Sequence, residues 1–439
     1  MKKLIALLMV AVMILGLAAC ESGTAKEAAA PAAEASAAEN GSPAKIRMMM
    51  YTNANIQAMV EEALVPFEEA HNCDVEVILN ALDDFDTKIS TMLASNEMVD
   101  VLWVAESHAA QYISEGLLMD ISDLTSDPDW DYDDYAEGMK AHFTRGDAVY
   151  GAGFSGPPTV CFYNKTLFEK AGIPTPTELY QEGKWDVDAM IDAAYKIAEL
   201  GDEIYGIDFS MGGKWSGWDE VGTVAFRLYG GDAWDDNDHT KILVNSPESI
   251  RGLTAFNDMM NAGAHPKAGT TIDFTAGQLG LLVDYYGSIK KLANVDFDWD
   301  VVPMPLNEKG FSTGYMGAAA YGIYEGTSQP ELAKELLKYM TSPAQITAFQ
   351  FTFIPPRKSI LYSEDFATGN HGEVARSSNP EANSWIVDNL DVIHVKQSHE
   401  NLTELAQCLI EGFELMYAGA MTPEEAANHI AEEMAPYMQ

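Results

Sequence analysis

Alternating strand and helix patterns predict that this chain has an α/β fold. Residues 46–51 form a short apolar run typical of a strand, and residues 75–79 form a second one. Between them, apolar side chains from Ile56 to Phe67 recur at helical spacing on one face. The same alternation resumes after residue 160. Strands that alternate with helices usually pair in parallel, so the sequence predicts sheets flanked by helices.

The next elements along the chain follow the same pattern. Residues 88–93 continue a helix, residues 99–104 form an apolar third strand, and residues 109–115 form a further helix. Gly116 is a plausible stop for that helix, because glycine readily adopts the left-handed conformation that ends many helices. Pro66 lies inside the first helical pattern and predicts a kink or a helix end there, since proline has no amide hydrogen to donate.

Capping residues mark helix starts in the second half of the chain. A Ser, Thr or Asp side chain can accept a hydrogen bond from the first free amide groups of a helix, and proline is favoured in the first turn. These signals predict helices that begin at Asp186, at Ser246-Pro247, at Gln329-Pro330 and at Thr422-Pro423. A further helix is expected from Leu402, with a break near Gly419.

Length and charge limit the possible domain structure and partners. The chain of 439 residues exceeds the roughly 250–300 residues at which single cores usually divide into domains. Its 26 basic and 67 acidic side chains give a formal charge of −41. Nucleic acid is a poor partner for a protein with this negative charge, because binding of its phosphates needs a basic surface. No apolar run long enough to span a bilayer follows Leu17.

The N-terminus predicts export and lipid attachment. A short basic start precedes an apolar run that is too short to span a bilayer comfortably, and Leu17-Ala18-Ala19-Cys20 resembles a bacterial lipobox. We therefore expect a signal peptide at residues 1–19 and a lipid on Cys20 that anchors an extracytoplasmic protein to the cell membrane, either at the outer face of the cytoplasmic membrane or in the periplasm. An ordinary signal peptide or a membrane anchor with a chance cysteine is the alternative. Residues 20–44 are rich in Ala, Glu, Ser and Pro and predict a flexible linker.

The remaining cysteines and the acidic runs predict neither a metal nor a cofactor site. Cys73, Cys161 and Cys408 allow at most one disulfide bond, and no C-x-x-C motif occurs. Cys161 lies in an apolar run and is expected to be buried. The acidic run at residues 127–134 lacks the sixth-position glycine and the twelfth-position glutamate of an EF-hand loop, so we interpret it as solvated charge.

Five sequence blocks occur in an order that resembles a known protein family. Residues 88–120 combine a helix, a small-residue turn, a D-V strand and an E-G-L-L helix end, and residues 162–173 contain Y-N-K-T-L-F-E-K-A-G-I. The others are G-Q-L-G-L-L-V-D-Y-Y-G at 277–287, V-P-M-P at 302–305 and P-P-R-K at 355–358. Together they resemble bacterial extracellular solute-binding proteins of the maltose-binding type. The block at 277–287 departs from that family's G-x-x-A-M pattern, which bears on the ligand.

The resemblance implies a two-lobed, type II periplasmic-binding fold whose lobes close on a ligand about a hinge. Hinge segments are then expected near residues 155–160, 315–321 and 355–361. The implied N-terminal lobe comprises residues 45–157 plus 318–357, and the implied C-terminal lobe comprises residues 158–317 plus 358–439.

The function implied by the resemblance is binding without catalysis. Such a protein would act as a monomer without a cofactor, capture a sugar or oligosaccharide and deliver it to the permease of an ABC importer. One alternative is a binder of another small solute, such as a polyol or ferric ion. The adjacent phenol groups of Tyr285 and Tyr286 would suit ferric ion. A surface glycosidase with Glu106 and Asp284 as paired carboxylates is a further alternative.

Candidate ligand contacts combine aromatic faces for the C–H surface of a sugar with polar groups for its hydroxyls. Several follow predicted strands, where the cleft of an open α/β sheet is expected. The candidates are Asn53, Asp83, Glu106, Ser107, Phe154, Trp215, Trp218, Asp284, Tyr285, Tyr286, Tyr315 and Arg357. Asn53 and Asp83 equally suit helix capping, the two tryptophans equally suit packing under their glycine-rich loop, and Arg357 equally suits an internal ion pair.

Overall fold

A computed structural model describes residues 43–51, 54–80, 85–210, 218–235, 238–349, 354–367, 379 and 381–438. For residues 51, 54–57, 86, 218, 219 and 349 the description covers the backbone alone. The expected signal peptide, Cys20 and nearly all of the expected linker lie outside the described residues. None of the helices within the described ranges is long and apolar enough to cross a bilayer.

Strands and helices alternate through most of the described chain. The strands are β1 (Ala44–Tyr51), β2 (Cys73–Asn80), β3 (Val101–Ala105), β4 (Thr144–Arg145), β5 (Ala148–Val149), β6 (Ala152–Ser155), β7 (Thr159–Asn164), β8 (Tyr205–Asp208), β9 (Trp234–Asp235), β10 (Asp238–Ile242), β11 (Leu279–Tyr285), β12 (Trp299–Pro303), β13 (Tyr315–Met316), β14 (Ala319–Ile323) and β15 (His394–Val395).

The helices include several of only one or two turns. They are α1 (Ala54–His71), α2 (Phe85–Ser95), α3 (Glu106–Ser114), α4 (Glu137–Ala141), α5 (Lys165–Ala171), α6 (Pro176–Gln181), α7 (Val187–Ala198), α8 (Thr223–Arg227), α9 (Pro247–Asn261), α10 (Pro330–Met340), α11 (Pro343–Phe349), α12 (Lys358–Leu361), α13 (Glu364–Ala367), α14 (Ala382–Asp388), α15 (Leu402–Tyr417) and α16 (Pro423–Met434). A π-helical turn spans Trp218–Gly222, and a 3-10 helix spans Tyr286–Leu292.

The first sheet has the strand order β2-β1-β3-β14-β6. Its strand β1 runs parallel to β2 and β3, with Met49 opposite both Ile78 and Leu102. Met48 and Met50 belong to a buried cluster on one face with side chains of α1 and α10, whereas Met49 packs on the other face with side chains of α2 and α3. Parallel strands covered by helices on both faces confirm the predicted α/β fold.

The second sheet has the strand order β12-β7-β11-β8, and β7 runs antiparallel to both of its neighbours. Leu281 and Val283 of β11 join a large buried cluster with side chains of α7, α9, α15 and α16, whereas Leu282 joins a second cluster with side chains of α14. The alternation of elements had predicted parallel strands. The orientation of β7 differs because the chain enters it directly from the first sheet rather than through a crossover helix.

Short connections carry the chain between the two sheets. The chain leaves β6 at Ser155 and enters β7 at Thr159, and it returns from β13 to β14 between Met316 and Ala319. The Gly317 amide donates to the Pro157 carbonyl at 2.9 Å, so these two connections lie side by side. Residues 354–357 join them, since the Gly156 amide donates to the Ile354 carbonyl at 3.1 Å. The exact limits of two lobes about these connections stay a prediction.

Local signals located most of the helix starts correctly. The Asp186 side chain accepts from the Ala189 amide at 2.8 Å, and Ser246 accepts from the Ser249 amide at 3.2 Å. Thr422 forms a complete capping box with Glu425. Helix α10 begins at Pro330, as the sequence predicts. Capping needs only neighbouring residues, which explains why sequence alone predicts it well.

Of the two expectations at Pro66, a kink or a helix end, the helix end is wrong, because α1 continues through this residue to His71. Pro66 is exposed, whereas Leu64 and Phe67 are buried against the first sheet. Packing of the apolar face therefore outweighs the loss of one helical hydrogen bond at the solvent face. The predicted stop after α3 is confirmed, since Gly116 has a φ of 69°.

The three described cysteines, Cys73, Cys161 and Cys408, are free and buried. Cys161 is fully buried, which confirms its expected place in the core, and burial raises the pKa of its thiol. A thiol with a raised pKa is a weak nucleophile at neutral pH. Cys161 therefore acts as a small apolar side chain in β7.

Candidate functional site

Three strands of the first sheet end at the same edge. Because β1, β2 and β3 are parallel, their carboxyl ends at Tyr51, Asn80 and Ala105 lie together. Glu106 follows the last of these ends as the first residue of α3. Asn53 and Asp83 follow the other two ends in sequence and lie outside the described residues. This edge is where ligands bind in open α/β sheets.

An edge of the second sheet faces the first across the short connections. Tyr285 ends β11 opposite Thr159, which begins β7. Ser155 and Thr159 are four residues apart, so the two edges lie within about 15 Å of each other there. Trp215 lies outside the described residues, and Trp218 begins the π-helical turn with a side chain outside the description. We call the space between these edges the candidate cleft.

Glu106 and Lys396 form a buried ion pair at the candidate cleft. The Lys396 Nζ lies 3.7 Å from the Glu106 Oε1, and both residues are buried. The Ala318 amide donates to the other carboxylate oxygen at 3.0 Å, while the Glu106 amide donates to the Ala318 carbonyl at 2.9 Å. The Glu106 carboxylate therefore contacts both the Lys396 ammonium and the backbone of the connection at residues 317–318.

Sequence reasoning missed Lys396, which no motif marks. It follows β15, and its amide donates to the Met316 carbonyl at 2.9 Å. Its ammonium lies 5.8 Å from the centre of the Tyr315 ring. The Lys and its carboxylate partner are 290 positions apart in the sequence, so only the folded arrangement brings them together.

Ser107 lies in the first turn of α3 and is tied to the segment that contains Lys396. The Ser398 hydroxyl donates to the Ser107 carbonyl at 3.1 Å and accepts from the Ala110 amide at 3.1 Å. The Ser107 hydroxyl lies 3.2 Å from the His108 Nδ1. Side chain and backbone contacts thus join α3 to the other side of the candidate cleft.

Tyr285 and Tyr315 meet edge to face, with ring centres 5.6 Å apart. Tyr315 is fully buried, and its amide and carbonyl both bond the Thr159 hydroxyl. Tyr285 is only half-buried. A Cβ atom at Gly317 would approach its ring to 3.1 Å, so the glycine permits this close contact. The Tyr285 ring therefore packs beside the hinge-like connection.

Asp284 and Tyr286, the neighbours of Tyr285, have partners within the protein, in the 3-10 helix that follows β11 and in α14. The Asp284 carboxylate accepts from the Tyr285 amide at 2.7 Å and from the Ser288 hydroxyl at 2.6 Å. Lys291 lies 3.6 Å from the same carboxylate. Tyr286 is buried, its hydroxyl donates to Asn383, and burial raises its pKa. Both side chains thus have structural roles, and contact with a ligand stays a prediction for each.

Arg357 is fully buried and its guanidinium is surrounded by acceptors. It donates to the carbonyls of Thr341, Asp131 and Trp130 at 3.0, 3.1 and 2.8 Å. Asp134 lies 3.5 Å away and also accepts two hydrogen bonds from Ser359. The interpretation of residues 127–134 as wholly solvated charge is therefore wrong for Asp134. The alternative of an internal ion pair describes Arg357 in this structure.

Phe154 is the last predicted candidate in the described part of the chain. It is buried at the end of β6 and stacks on Tyr321, with ring centres 4.4 Å apart. Both rings belong to the buried cluster of the first sheet. Of the described candidates, Glu106, Ser107 and Tyr285 thus lie at the facing edges, while Phe154, Asp284, Tyr286, Tyr315 and Arg357 have their partners within the protein.

Comparison with known proteins gives a family match over most of the chain. The family model described as bacterial extracellular solute-binding protein matches residues 51–347. No curated protein sequence matches this chain.

Solved structures extend the likeness to nine-tenths of the chain. An ABC substrate-binding protein from Listeria monocytogenes in complex with cycloalternan is 19% identical, with a TM-score of 0.74 over 90% of this chain and 99% of that one. The cyclic alpha-maltosyl-1,6-maltose binding protein from Arthrobacter globiformis is 18% identical, with a TM-score of 0.73 over 90% and 99%. An ABC transporter solute-binding protein from Thermotoga lettingae bound with alpha-D-tagatose is 18% identical, with a TM-score of 0.73 over 91% and 100%. The chain has their two-lobed, type II periplasmic-binding fold, as the sequence predicts.

Proposed function

This chain belongs to the bacterial extracellular solute-binding protein family, and from that premise we propose that it captures a sugar or oligosaccharide for an ABC importer. The observation that carries the proposal is the fold shared over 90% of the chain with a binding protein solved with cycloalternan. The ligand binds in the candidate cleft and is then passed to a membrane permease. The protein acts as a monomer and performs no catalysis.

Capture in this proposal depends on movement of the two sheets about the connections at residues 156–158 and 317–318. A ligand that contacts both edges favours the closed arrangement, because it gains contacts there that the open one lacks. Micromolar affinity requires about −8 kcal/mol, which a few aromatic contacts and hydrogen bonds can supply. The closed form presents the rims of both lobes to the permease.

Residues at the facing edges are the proposed ligand contacts. Tyr285 supplies an aromatic face, and the Glu106–Lys396 pair supplies an acceptor and a donor for sugar hydroxyls. Ser107 adds a hydroxyl beside them. The loops that follow the strand ends complete the proposed site with Asn53, Asp83, Trp215 and Trp218. Asp284, Phe154, Tyr286, Tyr315 and Arg357 hold these edges in place.

Attachment to the membrane supports delivery. We propose that Cys20 carries the lipid predicted from the lipobox resemblance and that residues 20–44 form a tether. A tether raises the effective concentration of a binder near its permease. Residues 45–157 with 318–357, and 158–317 with 358–439, are the proposed lobes.

The iron and glycosidase alternatives have weaker support. Ferric ion favours phenolate ligands, whereas burial raises the pKa of Tyr286 and its hydroxyl is bonded to Asn383. A glycosidase needs a carboxyl group free to protonate the glycosidic oxygen. The carboxylates of Glu106 and Asp284 instead accept hydrogen bonds from backbone and side chain donors and lie near lysines.

A thermal-shift screen of the full chain tests the function. Maltose, cyclic glucose oligosaccharides, tagatose, ribitol, amino acids and ferric citrate are added separately, because a ligand that binds only the folded state raises its stability. At 100 times Kd the gain is about 2.7 kcal/mol. Stabilisation by a saccharide, with matching titration heat, supports the proposal. Stabilisation only by ribitol, an amino acid or ferric citrate contradicts it, as does release of shorter saccharides on long incubation.

A further inference from the structure

Two histidines and a glutamate from distant parts of the chain lie close together. One histidine is on β10, and the other two residues belong to the segment at residues 394–401. His239 belongs to β10, whereas His399 and Glu400 precede α15. One ligand atom from each of the three residues lies within 4.8 Å of the others. We propose that this trio, the His-Glu cluster, binds a divalent transition-metal ion of the Zn²⁺ class.

The backbone around the cluster holds its members together. Gln397 donates to the Trp234 carbonyl at 2.5 Å and accepts from the Ala233 amide at 3.3 Å, which fixes the segment against β9. The His399 Nε2 lies 3.1 Å from the His239 carbonyl. The cluster is thus positioned by contacts that do not involve its potential metal-binding atoms.

Distances within the cluster fit a single small ion. The His239 Nδ1 lies 3.0 Å from the Glu400 Oε2, and the His399 Nδ1 lies 3.7 Å from the same oxygen. Tetrahedral Zn²⁺ with bonds of about 2.0–2.1 Å separates its ligand atoms by roughly 3.3 Å. The two observed separations lie on either side of this value, and the ligand atoms of all three residues lie within 4.8 Å of one another. Side chain rotation would have to bring the two imidazoles to the zinc-binding separation.

Hydrogen bonds fix the tautomer of His399. The Asn401 amide can only donate, and it points at the His399 Nδ1 at 3.0 Å. Nδ1 therefore carries a lone pair, and Nε2 carries the hydrogen that it donates to the His239 carbonyl. A ring that donates its distal N–H to a backbone carbonyl is the usual arrangement of metal-binding histidine. Metal binding would replace the hydrogen bond from the Asn401 amide.

Exposure and donor type indicate which ions fit. The side chains of His239 and Glu400 are 31% and 41% exposed, so water can reach the cluster and complete the coordination. Two imidazoles and one carboxylate favour Zn²⁺, Cu²⁺ or Ni²⁺ over Mg²⁺ and Ca²⁺, which prefer oxygen ligands. The net charge of −41 also attracts cations to the surface.

A metal-free explanation exists, because His239 and Glu400 can also form a simple hydrogen-bonded pair. Zinc titration of the full chain without an affinity tag distinguishes the two at pH 7.5, with a chromogenic chelator as competitor. The variants are His239→Gln and Glu400→Gln, with His429→Gln on α16 as the matched control. One equivalent of Zn²⁺ should bind to the wild type and to the control, and excess Mg²⁺ should not displace it. Each cluster variant should bind at least about tenfold more weakly.

Two outcomes overturn the proposal: no zinc bound by the wild type in competition with the chelator, or equal affinity in the wild type and both cluster variants. X-ray absorption at the zinc edge of the loaded wild type gives a measurement that does not depend on the variants folding. Imidazole scattering from two ligands supports the cluster, whereas a shell of oxygen atoms alone rules it out.

Discussion

Lys396 and Glu106 link the end of β15 to the start of α3 through a buried ion pair, with Nζ 3.7 Å from Oε1. The carboxylate also accepts from the Ala318 amide in the connection between the sheets. One side chain pair thus touches the first sheet, the segment at residues 394–401 and the connection between β13 and β14. A residue expected from sequence to face a ligand is also part of the structure that joins the two sheets.

Removal of one partner of this pair should destabilise the protein more than removal of both. Glu106→Gln and Lys396→Met each remove one charge of this buried pair, so that the remaining charge loses its opposite charge, which costs roughly 3 kcal/mol. The double variant should recover a substantial part of that loss. Urea denaturation of the wild type and the three variants gives the coupling free energy. If the destabilisation of the double variant equals the sum of the two single-variant values to within about 0.5 kcal/mol, the two side chains do not interact.

Tyr285→Ala should weaken ligand binding, because the proposed aromatic face is lost. A sugar face stacked on an aromatic ring contributes on the order of 1 kcal/mol, so Kd should rise about fivefold. Calorimetric titration with the ligand found by the thermal-shift screen measures this change. Tyr437→Ala is the matched control, since Tyr437 is 39% exposed and follows α16 near the end of the chain. Equal Kd values for the two variants would remove Tyr285 from the proposed site.

Arg357→Lys should reduce stability while leaving ligand affinity unchanged. Lysine cannot reproduce the planar set of donors that bonds the carbonyls of Trp130, Asp131 and Thr341. Buried acceptors left unsatisfied cost about 1–3 kcal/mol each, so a loss of at least about 2 kcal/mol is expected. Chemical denaturation and calorimetric titration of the same preparation separate the two effects. Weaker binding with unchanged stability would instead assign Arg357 to the ligand.

His142 should make stability depend on pH in the mildly acidic range. Burial and the positive charges of Arg145 and Lys396 lower its pKa from 6.5 to about 3. Between these values the unfolded chain binds a proton that the folded chain does not, so stability falls as pH decreases through this window. The contribution is about 1.4 kcal/mol per pH unit.

Carboxylates also change the unfolding free energy with pH, so two histidine variants are compared to isolate the contribution of His142. Unfolding free energies are measured at several values between pH 4.5 and 6.5 for the wild type, His142→Gln and His429→Gln. The first variant should lose the histidine contribution to the slope, whereas the second should keep the slope of the wild type. An unchanged slope in His142→Gln would mean that the buried imidazole takes up its proton normally.

Short-range patterns predicted much of the fold. The helix starts at Asp186, Ser246 and Thr422 depend on hydrogen bonds within one helical turn, so the sequence displays them directly. Of the kink or helix end expected at Pro66, the helix end is wrong because the decisive contacts are those of Leu64 and Phe67 with a distant sheet. Local rules describe the cost of the proline but not the packing that outweighs it.

The candidate site was predictable only in part. Glu106, Ser107 and Tyr285 follow or end strands, and strand ends can be predicted from apolar runs. The side chain directions could not be predicted in the same way. The side chain of Tyr286, next to Tyr285 in the sequence, is buried and bonds Asn383. The Arg357 guanidinium bonds backbone carbonyls of two other segments. Such partners are far apart in sequence, and their meeting depends on the whole fold.

The position of β14 has a consequence for the order in which the protein can fold during synthesis and export. This strand lies between β3 and β6 in the first sheet, yet it is made after all four strands of the second sheet. An emerging N-terminal portion therefore lacks a strand in the interior of its sheet until residue 323 has appeared. Contacts between such distant segments form slowly. The second sheet, whose four strands are all made by residue 303, can therefore be completed before the first sheet.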